Sequence, residues 1–186
     1  MNNSMTDLKN KRMQYNIIGI VAALLLIILD QWSKRLAVSA LMDKEPFVII
    51  DGVFQLRYLE NRGAAFGIMQ NRAIFFVIIG ILILAAIAYL YHKMPCTPKY
   101  HLLRILAVLM TAGAIGNMID RVLNNYVVDF FYFELINFPI FNVADCYVTV
   151  ATALLIVAIL FIYKEEDLKF IDRKHSDVSG EKDDAK

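Results

Sequence analysis

Polar and apolar positions are segregated along this chain into long blocks. "AIFFVIIGILILAAIAYLY", Ala73 to Tyr91, contains no charged residue at all. About 20 mostly apolar residues are enough for a helix to cross the hydrocarbon core of a bilayer. Three further segments follow the same rule: "YNIIGIVAALLLIILDQWSKRL" from Tyr15 to Leu36, Leu102 to Arg121, and about Asn142 to Tyr163. Between the first two, from about Ala37 to Arg72, the pattern changes. "FVIIDGVFQLRYLEN" alternates apolar and polar residues around Asp51 and Gly52, a short-range hairpin signal. The chain therefore reads as an α-helical integral membrane protein with four transmembrane helices and a small extracytoplasmic β-sheet. Its 186 residues leave no room for a second large domain. Residues 1–14 form an N-terminal segment, 15–163 the membrane domain and 164–186 a polar tail expected to be disordered. The end of that tail, "SDVSGEKDDAK", lacks periodicity and is expected to be disordered.

Charge gives the helices a direction. Lys9, Lys11 and Arg12 precede the first span, and Lys93, Lys99 and Arg104 surround the connection between the second and third. Cytoplasmic loops carry the excess of Lys and Arg, so both termini and the middle connection are expected in the cytoplasm. The two longer connections then face outward. "KNKR" ahead of an apolar run and "VSA" after it resembles a cleavable signal peptide. Asp30, Lys34 and Arg35 separate the run from that site, and three more spans follow, which favours an uncleaved helix. The net charge of +1 excludes little by itself. No basic tract is interleaved with aromatics, so nucleic acid is not an expected partner. Cys96 and Cys146 lie far apart with no CxxC, and His92, His101 and His175 are scattered, so neither metal nor cofactor is expected.

With this orientation the polar residues of the spans fall at one depth. Asp30 and Lys34 lie near the outer end of span one, and Asn61 and Arg62 just before span two. Asn117, Asp120 and Arg121 end span three; Asp129 follows it, and Asn142 and Asp145 open span four. Ionisable residues inside a membrane are costly and mark function by default. Asp30 and Lys34 are four apart, Asn117, Asp120 and Arg121 three and four apart, and Asn142, Asp145 and Thr149 repeat the pattern. Three helices thus present polar faces that are most cheaply satisfied by one another. Ala112, Gly113 and Gly116 allow close helix approach. "NRGAAFG" is consistent with close packing or with binding an extended chain.

No histidine falls in this cluster, so a cysteine mechanism through Cys146 lacks its partner. The pair of interest is Asp129 and Asp145. Two neighbouring carboxylates share a proton, and one then serves as acid while the other serves as base. That suits peptide hydrolysis. A proton-coupled carrier would place its acids near the bilayer midplane between repeated halves, and no repeat is visible. A scaffold whose charges only mark helix ends is the remaining reading. No GxGD string occurs.

"DQWSK", "NRGAAFG", "GNMIDR", "VVDFF" and "FNVAD" occur in that order on the expected helix ends. Together they resemble lipoprotein signal peptidase, the bacterial type II signal peptidase, over about Asn16 to Tyr163. The resemblance implies an aspartyl endopeptidase of the bacterial cytoplasmic membrane with an extracytoplasmic active site and sheet, and a loop closing over that site. Its substrate would be a prolipoprotein carrying a diacylglyceryl-cysteine, cleaved just before that cysteine, and globomycin would be expected to occupy the same groove. By motif, Asp129 and Asp145 would be catalytic. Asn61, Asn117, Arg121 and Asn142 would bind substrate or support the pair, and Asp30, Lys34 and Asp120 would be structural.

Overall fold

The computed structural model describes residues 2–63 and 72–171. Helix α1 (Asn2–Leu41) is followed by strands β1 (Phe47–Ile50) and β2 (Phe54–Asn61), then α2 (Ala73–Lys93), α3 (His101–Asn124), β3 (Val127–Phe133) and α4 (Val143–Phe161). Among the described residues, these four helices are the ones long and apolar enough to cross a membrane. At about 1.5 Å per residue, the 40 residues of α1 exceed the roughly 30 Å hydrocarbon core. Its polar first turns and its last turns therefore extend past the apolar stretch. The helix thus runs past the expected span of Tyr15 to Leu36 at both ends, and Gly19 inside it does not interrupt it.

Helix α3 is the hub and lies against each of the other three helices. Its small residues make this possible. A Cβ on Gly113 would sit 2.6 Å from the Ala144 carbonyl oxygen, and one on Gly116 2.5 Å from Asp30 Oδ2. By contrast α2 has no buried residue, as befits a helix facing lipid. Asn125, in the left-handed region at φ 64°, ends α3 with its N–H on the Arg121 carbonyl.

The hairpin around Asp51 and Gly52 forms as expected, with Gly52 at φ 64°. The sheet has a third strand, in the order β1-β2-β3, with both pairs antiparallel. The outward-facing connection between the third and fourth spans thus contains β3. Its residues "VVDFFYF" are β-branched and aromatic on both faces of the aspartate, which suits a buried strand. Val128 and Phe130 of β3 pack on Ala37 and Leu41, so the sheet stands on the last turns of α1. Phe141 pairs back onto Phe131 and returns the chain towards α4.

At the opposite end of the bundle, Met94, Leu103, Ala158 and Tyr163 form a second cluster, with Tyr100, Leu168 and Phe170 against it. A 3-10 helix, Glu165–Ile171, supplies the last two of these. The tail expected to be disordered from residue 164 has regular structure to Ile171, where Leu168 and Phe170 pack half-buried against the cluster. Residues 176–186, the polar end of the tail, lie outside the described residues, as does His175.

Candidate active site

Helix α4 begins with a capping box, and the box creates half of the site. Asn142 is the N-cap; its Oδ1 accepts from the Asp145 N–H at 3.0 Å, and Asp145 Oδ2 accepts from the Asn142 N–H at 3.2 Å. These exchanges satisfy amide groups that a helix start leaves open. The same geometry fixes the Asp145 carboxylate at the sheet end of the bundle. Strand β3 brings the other carboxylate. Asp129 is 1% exposed and pairs across the ladder with Leu59.

One side chain joins the two. The Asn142 amide nitrogen donates to Asp129 Oδ1 at 2.6 Å and to Asn117 Oδ1 at 3.1 Å. Asn117 Nδ2 donates to Asp145 Oδ1 at 2.7 Å. Asn61, at the end of β2, donates to Asp129 Oδ2 at 2.8 Å and accepts from the Gly63 N–H. Every oxygen of both carboxylates therefore has an amide donor. Burial first, and then the Asp145 charge, push the Asp129 carboxyl up to about 7, while Asn61, Asn142 and Lys34 pull it back.

Beneath the carboxylates lies a buried ionic group. Lys34 contacts Asp30 Oδ2 at 2.9 Å, Asp120 Oδ2 at 3.1 Å and Asn117 Oδ1 at 2.9 Å. Asp30 Oδ1 accepts from the Ala144 N–H at the start of α4, and Asp120 Oδ2 from the Val128 N–H of β3. Gln31, which the sequence did not single out, donates to Asp30, to Asp120 and to the Gly116 carbonyl. Its place in "DQWSK", directly beside Asp30, was the signal available for it.

Arg121 lies over the Phe76 ring at 4.9 Å, with its nitrogens on the Asn117 and Gly63 carbonyls. Arg62 instead bridges Glu60 at 2.8 Å and lies over Tyr126. A cavity of about 280 Å³ opens beside Asp145 between α2, α3 and α4, lined by Phe76, Gly80, Asn117, Arg121 and Thr149 among others. Of "NRGAAFG", only Asn61, Arg62 and Gly63 belong to the described residues.

Two acids and three asparagines on four elements are a specific arrangement, and known proteins carry a matching sequence. The family model described as "Signal peptidase (SPase) II" matches residues 22–161. The chain belongs to the signal peptidase II family. A lipoprotein signal peptidase of Streptococcus thermophilus (strain CNRZ 1066) is 46% identical over 147 residues, 79% of this chain and 93% of its own. One from Clostridioides difficile (strain 630) is 43% identical over 143 residues, 76% and 94% of the two chains. A solved structure titled as a bacterial membrane enzyme, at 2.3 Å resolution, superposes with a TM-score of 0.70 at 35% identity, covering 77% of this chain and 87% of that one. A second, at 1.9 Å resolution, gives 0.67 at 34% identity, covering 78% and 94%. The chain is thus a multi-pass membrane protein of a peptidase family. The stretch matched by the signal peptidase II model contains all nine polar site residues expected from the sequence, from Asp30 to Asp145.

Proposed function

We propose that this protein is an aspartyl endopeptidase that removes the signal peptide of diacylglyceryl-modified prolipoproteins, cleaving before the lipidated cysteine. The observation that carries the reading is the Asn142 bridge, which puts Asp129 and Asp145 in one hydrogen-bonded group beside a cavity between helices. The pair shares one proton, and its titration belongs to both residues together. The ionised carboxylate takes a proton from water as the water oxygen attacks the scissile carbonyl. The protonated one donates to the carbonyl oxygen, and the tetrahedral intermediate then collapses with transfer of a proton to the leaving amine. Asn61, Asn117 and Asn142 hold the two carboxylates in place, and Arg121 edges the cavity where the substrate backbone would run.

The positive-inside pattern puts the termini in the cytoplasm and the dyad at the extracytoplasmic face. There a lipidated cysteine reaches the acids without its acyl chains leaving the bilayer. Globomycin would compete for the same cavity. The test is incubation of the purified enzyme with a diacylglyceryl-modified precursor and with its unlipidated form. The first is cleaved, the second is not, and Asp129→Asn and Asp145→Asn both lose processing by a factor of at least about 10³ while remaining folded. Wild-type rates from either variant would remove that aspartate from the mechanism.

A further inference from the structure

The group under the dyad does more than hold helices together. An ammonium has three donors and no acceptor. In Lys34 all three are directed: at Asp30, at Asp120 and at Asn117 Oδ1. Two of these contacts lie wholly within the buried ionic group. The third leaves it. Asn117 presents its oxygen to Lys34 and so must present its NH2 to Asp145. Lys34 is 3% exposed and Asn142 is fully buried, so the Lys34 end of this link is shielded from water.

We propose that Lys34 is a positioning residue for the aspartate pair: through the Asn117 amide it orients and polarises the donor on Asp145. This rests on the aspartyl reading given above. A charge held one side chain away from a carboxylate favours its ionised form, and the amide between them transmits that preference as a stronger hydrogen bond. Among the described residues, other charged or titratable groups around the pair include Asp30 from α1, Asp120 and Arg121 from α3, and the Cys146 thiol from α4. The outer half of α2, Ala73 to Ile83, contributes none.

A purely structural Lys34 would only neutralise Asp30 and Asp120. The two roles separate in a charge-balanced variant. Lys34→Met with Asp120→Asn leaves the buried group with the same net charge as before, while Asn117 loses its cation. Processing of the lipidated precursor by the folded double variant is expected to fall roughly 10- to 100-fold. The acidic limb of its kcat/KM profile is expected to move up by about one pH unit. Wild-type turnover with a wild-type profile would overturn the proposal.

Lys34→Arg, which keeps a charge among the carboxylates, is the second variant. It is expected to retain the wild-type pH limb while kcat falls severalfold, and to have no further effect when Asn117 is already Leu. An equal loss in both backgrounds would show that Lys34 does not act through Asn117. Asp129→Asn, run alongside, keeps the two readings apart. If it processes precursor at the wild-type rate, the dyad itself fails. If it is inactive while the double variant is normal, only the role of Lys34 fails.

Discussion

Asp129 illustrates how a residue can work against the fold that holds it. Its carboxyl is raised to about 7, whereas an unfolded aspartate titrates near 3.9. Between those two values the folded state binds the extra proton. Stability contributed by this group is therefore greatest at low pH and is lost as pH rises through about 7. Asp129→Asn, which cannot ionise and keeps the shape, should raise the melting temperature more at pH 8 than at pH 5. A thermal-shift series across pH in detergent checks this. An equal effect at both pH values would mean that ionisation of Asp129 is not what strains the site. Asn142 was legible beforehand as a helix entrance. Its bond to Asp129 was not, because that contact depends on a strand thirteen residues away in sequence meeting the first turn of α4.

At the level of elements, α3 and α4 are set by what is missing from their interface. Gly113 lies under the Ala144 carbonyl and the Val148 side chain, both 2.6 Å from where a Cβ would be. Backbone cannot yield as a long side chain can. Gly113→Ala should push α4 outward, lower stability by roughly 1–3 kcal/mol, and slow processing by moving Asp145 relative to Asp129. Unchanged melting and turnover would contradict the close approach. The sequence marked these glycines only as permissive. It did identify all four helices, because uninterrupted apolar length is a strong signal, and the hairpin, because Asp-Gly between alternating residues is another. Strand β3 escaped for a physical reason. "VVDFFYF" is buried on both faces at its start, so it has no alternation to betray it.

For the whole molecule, the one-sided placement of polar groups was readable from charge bias and span order alone. Their connectivity was not, since it needs the sheet to fold back over the bundle. The orientation is testable directly. In a chain with Cys96 and Cys146 replaced by serine, Lys44→Cys beside the sheet should react with a membrane-impermeant maleimide in intact cells. Thr97→Cys at the opposite end should react only after permeabilisation. The reverse pattern would invert the protein in the bilayer and put the aspartates in the cytoplasm.

The division of the acids between β3 and α4 also bears on how the protein is made. A chain emerging from the ribosome acquires Asp129 before it acquires the helix that carries Asp145, and the asparagine that links them lies between. Until the fourth helix has entered the membrane and docked on α3, there is one carboxylate and no partner for it. On the proposed mechanism, a chain that has not yet acquired α4 holds half of the dyad and is inactive.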